Sequence, residues 1–187
     1  MKKAYLIHGW SGTPEHGWFP WLKRELEGCG WTVDAPEMPD ADAPAMDTWM
    51  PFLRERIVEA DEETVLVGHS MGGQAVLRFL EQLADGQKVG RAVLVAGVID
   101  RISSTDAEDQ KVVGPWLTTP MDFQKIKHAV NEIVGIFSDN DKEIPLESER
   151  VLKEKLGART IIEHGMNHFT EDDGITELPV VLQAVIE

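Results

Sequence analysis

One stretch constrains the fold of this chain more than any other, an apolar run that ends in Gly68-His69-Ser70-Met71-Gly72. The residues before this motif predict a buried strand, and those after it predict a helix. A serine framed by glycines between a strand and a helix is typical of a nucleophile elbow. Such a turn is tight, so glycine is needed where a Cβ would clash with the neighbouring elements. The alternative is a glycine-rich connection with an incidental serine.

Strand and helix patterns alternate along the whole chain. Strands are predicted at residues 4–7, 31–36, 64–67, 91–97, 132–137 and 159–163, and helices at 18–26, 48–60, 74–83, 122–130, 147–156 and 178–186. This alternation implies a parallel sheet with right-handed crossovers and helices on both faces. We therefore expect a three-layer α/β/α sandwich around a mainly parallel six-stranded sheet. Since no linker or repeat interrupts the pattern, residues 1–187 are expected to form a single domain.

Composition excludes several classes of partner. The formal net charge of −15 disfavours binding to nucleic-acid phosphates and to anionic membrane surfaces. Cys29 is the only cysteine, so no intrachain disulfide can form, which fits a reducing compartment. The apolar run at residues 4–7 is too short for a signal peptide, and no run approaches the length of a membrane span. A soluble, cytoplasmic protein is therefore expected.

Three chemically matched residues follow three different predicted strands. Ligands of parallel α/β sheets bind beyond the carboxyl ends of the strands, which is where Ser70, Asp141 and His168 lie. A serine hydroxyl is a poor nucleophile until a base takes its proton, and a carboxylate must orient that base. We expect Ser70 to be the nucleophile, His168 the base and Asp141 the orienting acid. This chemistry requires neither a metal nor a cofactor.

Both loops that supply the acid and the base contain rivals. His164 lies at or just past the end of the sixth predicted strand and is the alternative base. His168 is preferred because small or polar neighbours allow it to turn inward. Asp139 and Glu143 share a loop with Asp141, which is preferred because it lies at the turn before the chain re-extends. Asp139 is expected to brace that turn by hydrogen bonds to the backbone.

Acyl transfer also needs hydrogen-bond donors for the developing oxyanion. The backbone N–H of Met71, directly after the nucleophile, is one candidate. The second is the N–H of Trp10, because Gly9 allows the loop after the first strand to approach closely. The alternative for this loop is a simple turn at the strand end. The walls of the pocket are expected to include Trp10, Trp116, Met166 and Phe169, which suggests a substrate with a small apolar acyl or aryl group. The alternative role for each of these residues is packing in the core.

Four motifs together resemble the α/β-hydrolase superfamily. They lie at residues 8–10, 68–72, 141–145 and 165–168, and their serine, aspartate and histidine occur in the chain order of that superfamily. The short length, Trp49 in its predicted helix and the Pro115-Trp116 pair make the chain similar to small serine hydrolases related to retinoblastoma-binding protein 9. The resemblance implies a compact fold with little or no cap. It also implies hydrolysis of esters or related acyl compounds by Ser70, Asp141 and His168.

The expected function is therefore hydrolysis of a carboxylic ester or related small acyl substrate through an acyl-enzyme on Ser70. Amide and thioester cleavage use the same residues and stay open as alternatives. A protein-interaction module that keeps the scaffold without turnover is the rival from another class, because fold does not dictate function. The complete set of motifs favours the enzyme. Substrate choice depends on how residues 99–121, predicted as an irregular excursion, fold over Ser70. No protein partner is predicted.

Overall fold

A six-stranded sheet forms the centre of the computed structural model, which describes residues 1–187. Its strands are β1 (Lys3–Ile7), β2 (Thr32–Asp34), β3 (Thr64–His69), β4 (Val89–Val95), β5 (Val130–Ser138) and β6 (Arg159–Glu163). The strand order is β2-β1-β3-β4-β5-β6, and every neighbouring pair is parallel. The predicted parallel sheet is therefore confirmed. The order reverses its direction between β1 and β3, which opens a crevice beyond their carboxyl ends.

Seven helices cover the sheet. They are α1 (Phe19–Gly28), α2 (Met46–Arg56), α3 (Met71–Glu81), α4 (Ala107–Thr118), α5 (Phe123–His128), α6 (Glu147–Leu156) and α7 (Pro179–Ile186). Helix α1 packs against α7, whereas α2, α3, α5 and α6 contact one another in series. The helices thus form one layer on each face, as the alternating pattern predicts. None of them has both the length and the apolar character that a membrane-crossing helix requires.

The central strands β3 and β4 are mostly apolar because helices cover them on both sides. Residues of β3 and β4 such as Leu66, Val67 and Val93 are fully buried. A strand of this kind cannot show the alternating pattern of a half-exposed sheet. Helix α6 ends as predicted at Gly157, which adopts the left-handed conformation (φ 68°). These regular elements hold the loops beyond the strand ends in place.

The segment 99–121 departs most from the sequence prediction. It contains the twelve-residue helix α4, whereas the sequence predicts an irregular excursion. The Asp106 side chain begins this helix by accepting hydrogen bonds from the N–H groups of Glu108 and Asp109. The periodicity is weak because only Val113 and Trp116 of α4 are buried. Helix α3 also begins earlier than predicted, at Met71 directly after Ser70.

Candidate active site

The turn between β3 and α3 holds Ser70 in a strained backbone conformation. Its φ of 52° and ψ of −119° are unfavourable for a residue with a side chain. The two framing glycines make the turn possible. A Cβ on Gly68 would lie 2.5 Å from the carbonyl oxygen of Gly72, and a Cβ on Gly72 would lie 2.1 Å from that of Ile7. Any larger residue at either position would force the turn open and displace Ser70.

The loop after β1 packs directly against Ser70. A Cβ on Gly9 would lie 3.0 Å from the Cβ of Ser70, so the backbone there is as close as packing allows. The N–H of Trp10 donates no hydrogen bond within the protein, while its indole Nε1 donates to the carbonyl oxygen of Asp42 at 3.0 Å. Met71 is the first residue of α3, where a backbone N–H has no intrahelical acceptor. Trp10 and Met71 both line the cavity at Ser70.

His8 holds the loop after β1 in place through hydrogen bonds of its imidazole ring. Its Nε2 accepts a hydrogen bond from the N–H of Met38 at 2.9 Å, so its Nδ1 carries the proton and donates to the carbonyl oxygen of Gly9 at 2.8 Å. Burial lowers the pKa of His8, and the hydrogen bond to Gly9 opposes this only in part. The neutral ring therefore anchors the backbone between β1 and Trp10.

His168 and Asp141 form a buried pair on the opposite side of the serine. His168 Nδ1 lies 2.9 Å from Asp141 Oδ2, and the two side chains are 9% and 2% exposed. The other oxygen of Asp141 accepts hydrogen bonds from the N–H groups of Glu143 at 2.8 Å and Ile144 at 3.0 Å. Because Asp141 accepts a hydrogen bond from the Nδ1–H of His168, the Nε2 of His168 is left free to take a proton from another group.

The charges around His168 raise its pKa above the ordinary value of 6.5. Burial lowers this pKa, but the hydrogen bond to Asp141 and the charges of Asp141, Glu143 and Asp173 together outweigh burial. The Nε2 of His168 lies 3.4 Å from Glu143 Oε2 and makes no hydrogen bond to the Ser70 hydroxyl. Serine–histidine hydrogen bonds of this kind often tighten only when substrate is present.

Several residues without a signal in the sequence hold the backbone of His168. His69 Nε2 donates to the His168 carbonyl oxygen at 2.8 Å, and the His168 N–H donates to Asp173 Oδ2 at 3.1 Å. Asn140 accepts from the N–H of Asn167 at 2.8 Å and so ties this loop to the loop after β5. Asn167 and Phe169, which flank His168, both have positive φ values, of 47° and 58°. These contacts hold a loop that would otherwise relax.

The rival pair lies on the surface. His164 Nδ1 is 2.6 Å from Asp139 Oδ2, but the side chains are 85% and 39% exposed. The other oxygen of Asp139 accepts from the N–H of Gly165 at 2.9 Å, so Asp139 braces the loop after β6, whereas the sequence predicts that it braces the turn after β5. Neither residue lines the cavity at Ser70.

The cavity that contains Ser70 has a volume of about 1100 Å³. Of the expected wall residues, Trp10 and Phe169 line it, whereas Trp116 and Met166 do not. Trp116 is 1% exposed because α4 packs it against Trp49, and its indole Nε1 donates to the carbonyl oxygen of Pro44 at 2.9 Å. Met166 packs against the hydrophobic core. Apolar walls that the sequence does not predict come from Trp18, Phe19, Val98, Ile102, Val113 and Ile144.

Comparison with known proteins identifies the family. The sequence matches the serine hydrolase family over residues 4–187. The chain belongs to the serine hydrolase family. Among curated relatives, the putative hydrolase YdeN of Bacillus subtilis is 33% identical over 181 residues, which cover 96% of this chain and 92% of YdeN. The serine hydrolase RBBP9 of Rattus norvegicus is 27% identical over 170 residues, 89% of this chain and 87% of RBBP9.

Solved structures share the fold of this chain. The crystal structure of the B. subtilis ydeN gene product has a TM-score of 0.91 with 30% identity and covers 99% of this chain and 97% of that one. Est1E of Butyrivibrio proteoclasticus, solved with ferulic acid, has a TM-score of 0.75 with 14% identity, over 99% of this chain and 86% of Est1E. The predicted α/β-hydrolase fold is confirmed.

Proposed function

We propose that this serine hydrolase cleaves a carboxylic ester or related small acyl substrate through an acyl-enzyme on Ser70. The observation that supports the proposal most strongly is the buried hydrogen bond of 2.9 Å between His168 and Asp141. His168 of this pair lines the same cavity as Ser70, which lies in a strained turn. A base with a raised pKa, oriented by a carboxylate and next to a strained serine, is the arrangement that nucleophilic catalysis requires.

In the acylation step, Ser70 Oγ attacks the carbonyl carbon and the hydroxyl proton moves to His168 Nε2. Asp141 accepts the Nδ1 hydrogen bond and stabilises the imidazolium that forms. The negative charge that develops on the carbonyl oxygen is stabilised by the N–H groups of Trp10 and Met71. The carbon–oxygen bond to the leaving group then breaks, and the leaving alkoxide takes the proton from His168 Nε2.

Deacylation repeats these steps with water. His168 Nε2 accepts a proton from the attacking water, and the resulting hydroxide adds to the acyl carbon of the ester on Ser70. The same two backbone N–H groups stabilise the second oxyanion. The bond to Ser70 Oγ breaks and Oγ regains its proton from His168, which releases the carboxylic acid. Amides and thioesters could follow the same route with a different leaving atom.

The proposal is tested by labelling with a fluorophosphonate probe and by hydrolysis of p-nitrophenyl acetate. We expect the unmodified protein to take the label and cleave the ester, and Ser70→Ala to lose both activities. Ser103→Ala is the matched control, because Ser103 also lines the cavity but its hydroxyl makes no hydrogen bond. That variant should keep label and turnover within about twofold. An unmodified protein that takes no label and cleaves no ester overturns the enzyme proposal in favour of an interaction module.

A further inference from the structure

The cavity at Ser70 is strongly acidic. Four carboxylates line it, on α4, on the loop after β5 and on the loop after β6, whereas Lys142 is the only lysine or arginine there. The four carboxylates belong to Asp109, Glu143, Glu171 and Asp172. None of the four forms an ion pair with a lysine or an arginine, and Glu143 has only His168 as an ionic neighbour. Like charges in a concave site reinforce one another, so the cavity attracts cations and repels anions.

Two of the histidines that line the cavity do not offset this charge. His8 and His69 both line it, and burial lowers the pKa of each, that of His69 to about 3. Both rings are therefore neutral at physiological pH. Since His69 Nε2 donates to the His168 carbonyl oxygen, the Nδ1 of His69 is left as an acceptor without a hydrogen-bond partner in the protein. The walls thus present mainly negative charges to a substrate.

Of these four carboxylates, Glu143 is the one that lies within ion-pair distance of His168. Its Oε2 lies 3.4 Å from His168 Nε2, the atom that hands a proton to the leaving group. A leaving group held at this nitrogen places its own substituents within reach of Glu143. The side chain of Glu143 is 66% exposed, so it can turn from His168 to a ligand without breaking a buried contact.

Building on the proposed function, we infer that this site prefers substrates whose leaving group carries a positively charged nitrogen, as in the esters of amino alcohols, and that Glu143 contacts that nitrogen. The acidic walls attract the cation, and Glu143 provides the contact beside the bond that breaks. Exposed ion pairs are individually weak, but several carboxylates act together in this cavity. We expect a preference on the order of tenfold in kcat/KM over a neutral substrate of the same shape.

The test compares acetylcholine with 3,3-dimethylbutyl acetate. The two esters share the acyl group and the shape of the leaving group, and they differ only in the positive charge. Hydrolysis is followed by acid release at a fixed pH well above the pKa of His168, so that its protonation does not affect the comparison. The cationic ester should be cleaved with the higher kcat/KM, and the preference should shrink as salt is added.

Two variants assign the preference to a residue. Glu143→Gln should lower the ratio of the two kcat/KM values towards one, and Glu143→Asp should restore part of it. The matched control is Glu154→Gln, because Glu154 lies on α6, outside the cavity, and pairs with Arg150. The control should keep the full ratio. A preference that survives Glu143→Gln contradicts the role of Glu143.

Each remaining outcome separates this inference from the proposed function. Equal cleavage of both esters overturns the charge preference while the hydrolase proposal stands. Absence of both ester cleavage and fluorophosphonate labelling overturns the hydrolase proposal itself. If Ser70 is labelled but neither acetate is cleaved, the charge preference is tested by measuring whether an added alcohol slows fluorophosphonate labelling of Ser70. Protection by choline and not by 3,3-dimethylbutanol supports the inference, and equal or absent protection overturns it.

Discussion

Two histidine–aspartate pairs lie side by side at the carboxyl ends of β5 and β6, and they differ in almost everything except composition. Each joins an aspartate of the loop after β5 to a histidine of the loop after β6, by a hydrogen bond of 2.9 Å for His168–Asp141 and 2.6 Å for His164–Asp139. The first pair is 9% and 2% exposed, and the second is 85% and 39% exposed. The shorter hydrogen bond thus belongs to the more exposed pair.

The comparison shows that burial and support, more than the hydrogen bond itself, distinguish the two pairs. The backbone of His168 is held by His69 and Asp173, and the carboxylate of Asp141 accepts two backbone N–H groups. A charge that develops on a buried, supported ring is stabilised by fixed dipoles, whereas water already surrounds the exposed ring of His164. His168 of the buried pair lines the cavity of Ser70, and neither residue of the exposed pair does.

The largest expected effect comes from removing each histidine in turn. His168→Ala should lower kcat for p-nitrophenyl acetate by about 10⁴-fold, because the nucleophile loses the group that takes its proton. His164→Ala should change kcat by less than about twofold, since an exposed side chain outside the cavity is removed. Circular dichroism and thermal unfolding check that both variants fold. Loss of activity in His164→Ala with retention in His168→Ala reverses the roles of the two pairs.

Substitution of the two aspartates should produce a smaller difference in kcat than substitution of the two histidines. Asp141→Asn keeps the size of the side chain but removes the charge that stabilises the imidazolium, so kcat should fall by about 10²- to 10⁴-fold. Asp139→Asn should leave kcat within about twofold, because its partner His164 lies on the surface. Steady-state hydrolysis of p-nitrophenyl acetate measures both changes. A loss of kcat in Asp139→Asn that exceeds the loss in Asp141→Asn contradicts this prediction. It means that the hydrogen bonds of Asp139 to the loop after β6 contribute more to the position of His168 than Asp141 does.

Most of the fold could be predicted from the sequence because its elements have local signals. The central strands contain long apolar runs, and Gly157 ends α6 where the pattern predicts. Helix α4 was missed because it buries only two side chains and carries Pro115 in its interior. Its one local signal is Asp106 followed by Glu108 and Asp109, an acidic start that is typical of a helix N-terminus.

Less of the site than of the fold could be predicted from the sequence, because much of the site depends on contacts between residues that are distant in the chain. Residues such as Ser70 are marked by their neighbours in the chain, but the supports of His168 depend on tertiary contacts. His69 reaches a carbonyl 99 residues away, and Asp173 is one of three consecutive acidic residues that no local pattern separates. The position of Trp116 likewise follows from α4 packing on Trp49. Local pattern therefore indicates the reacting groups but not the walls around them.

The smallest expected effects concern the pKa values of the two histidines, both of which are raised. For His168, burial lowers the pKa but Asp141 and its acidic neighbours outweigh burial, whereas the hydrogen bond to Asp139 is the main cause for His164. His168 accepts a proton only when it is neutral, so kcat/KM for a neutral ester should reach its maximum at high pH. It should fall as the pH drops through a value above 6.5.

Added salt and single substitutions distinguish the pKa shift of His168 from that of His164. At about 1 M NaCl, where exposed charges are screened within about 3 Å, the pKa of His164 should drop towards its ordinary value while the midpoint of the kcat/KM profile moves less. Asp139→Asn should lower the pKa of His164 in an NMR titration and leave that midpoint in place. Glu143→Gln should shift the midpoint to lower pH, because Glu143 helps to raise the pKa of His168. A midpoint that follows Asp139→Asn assigns the titration to the exposed pair and removes His168 as the base.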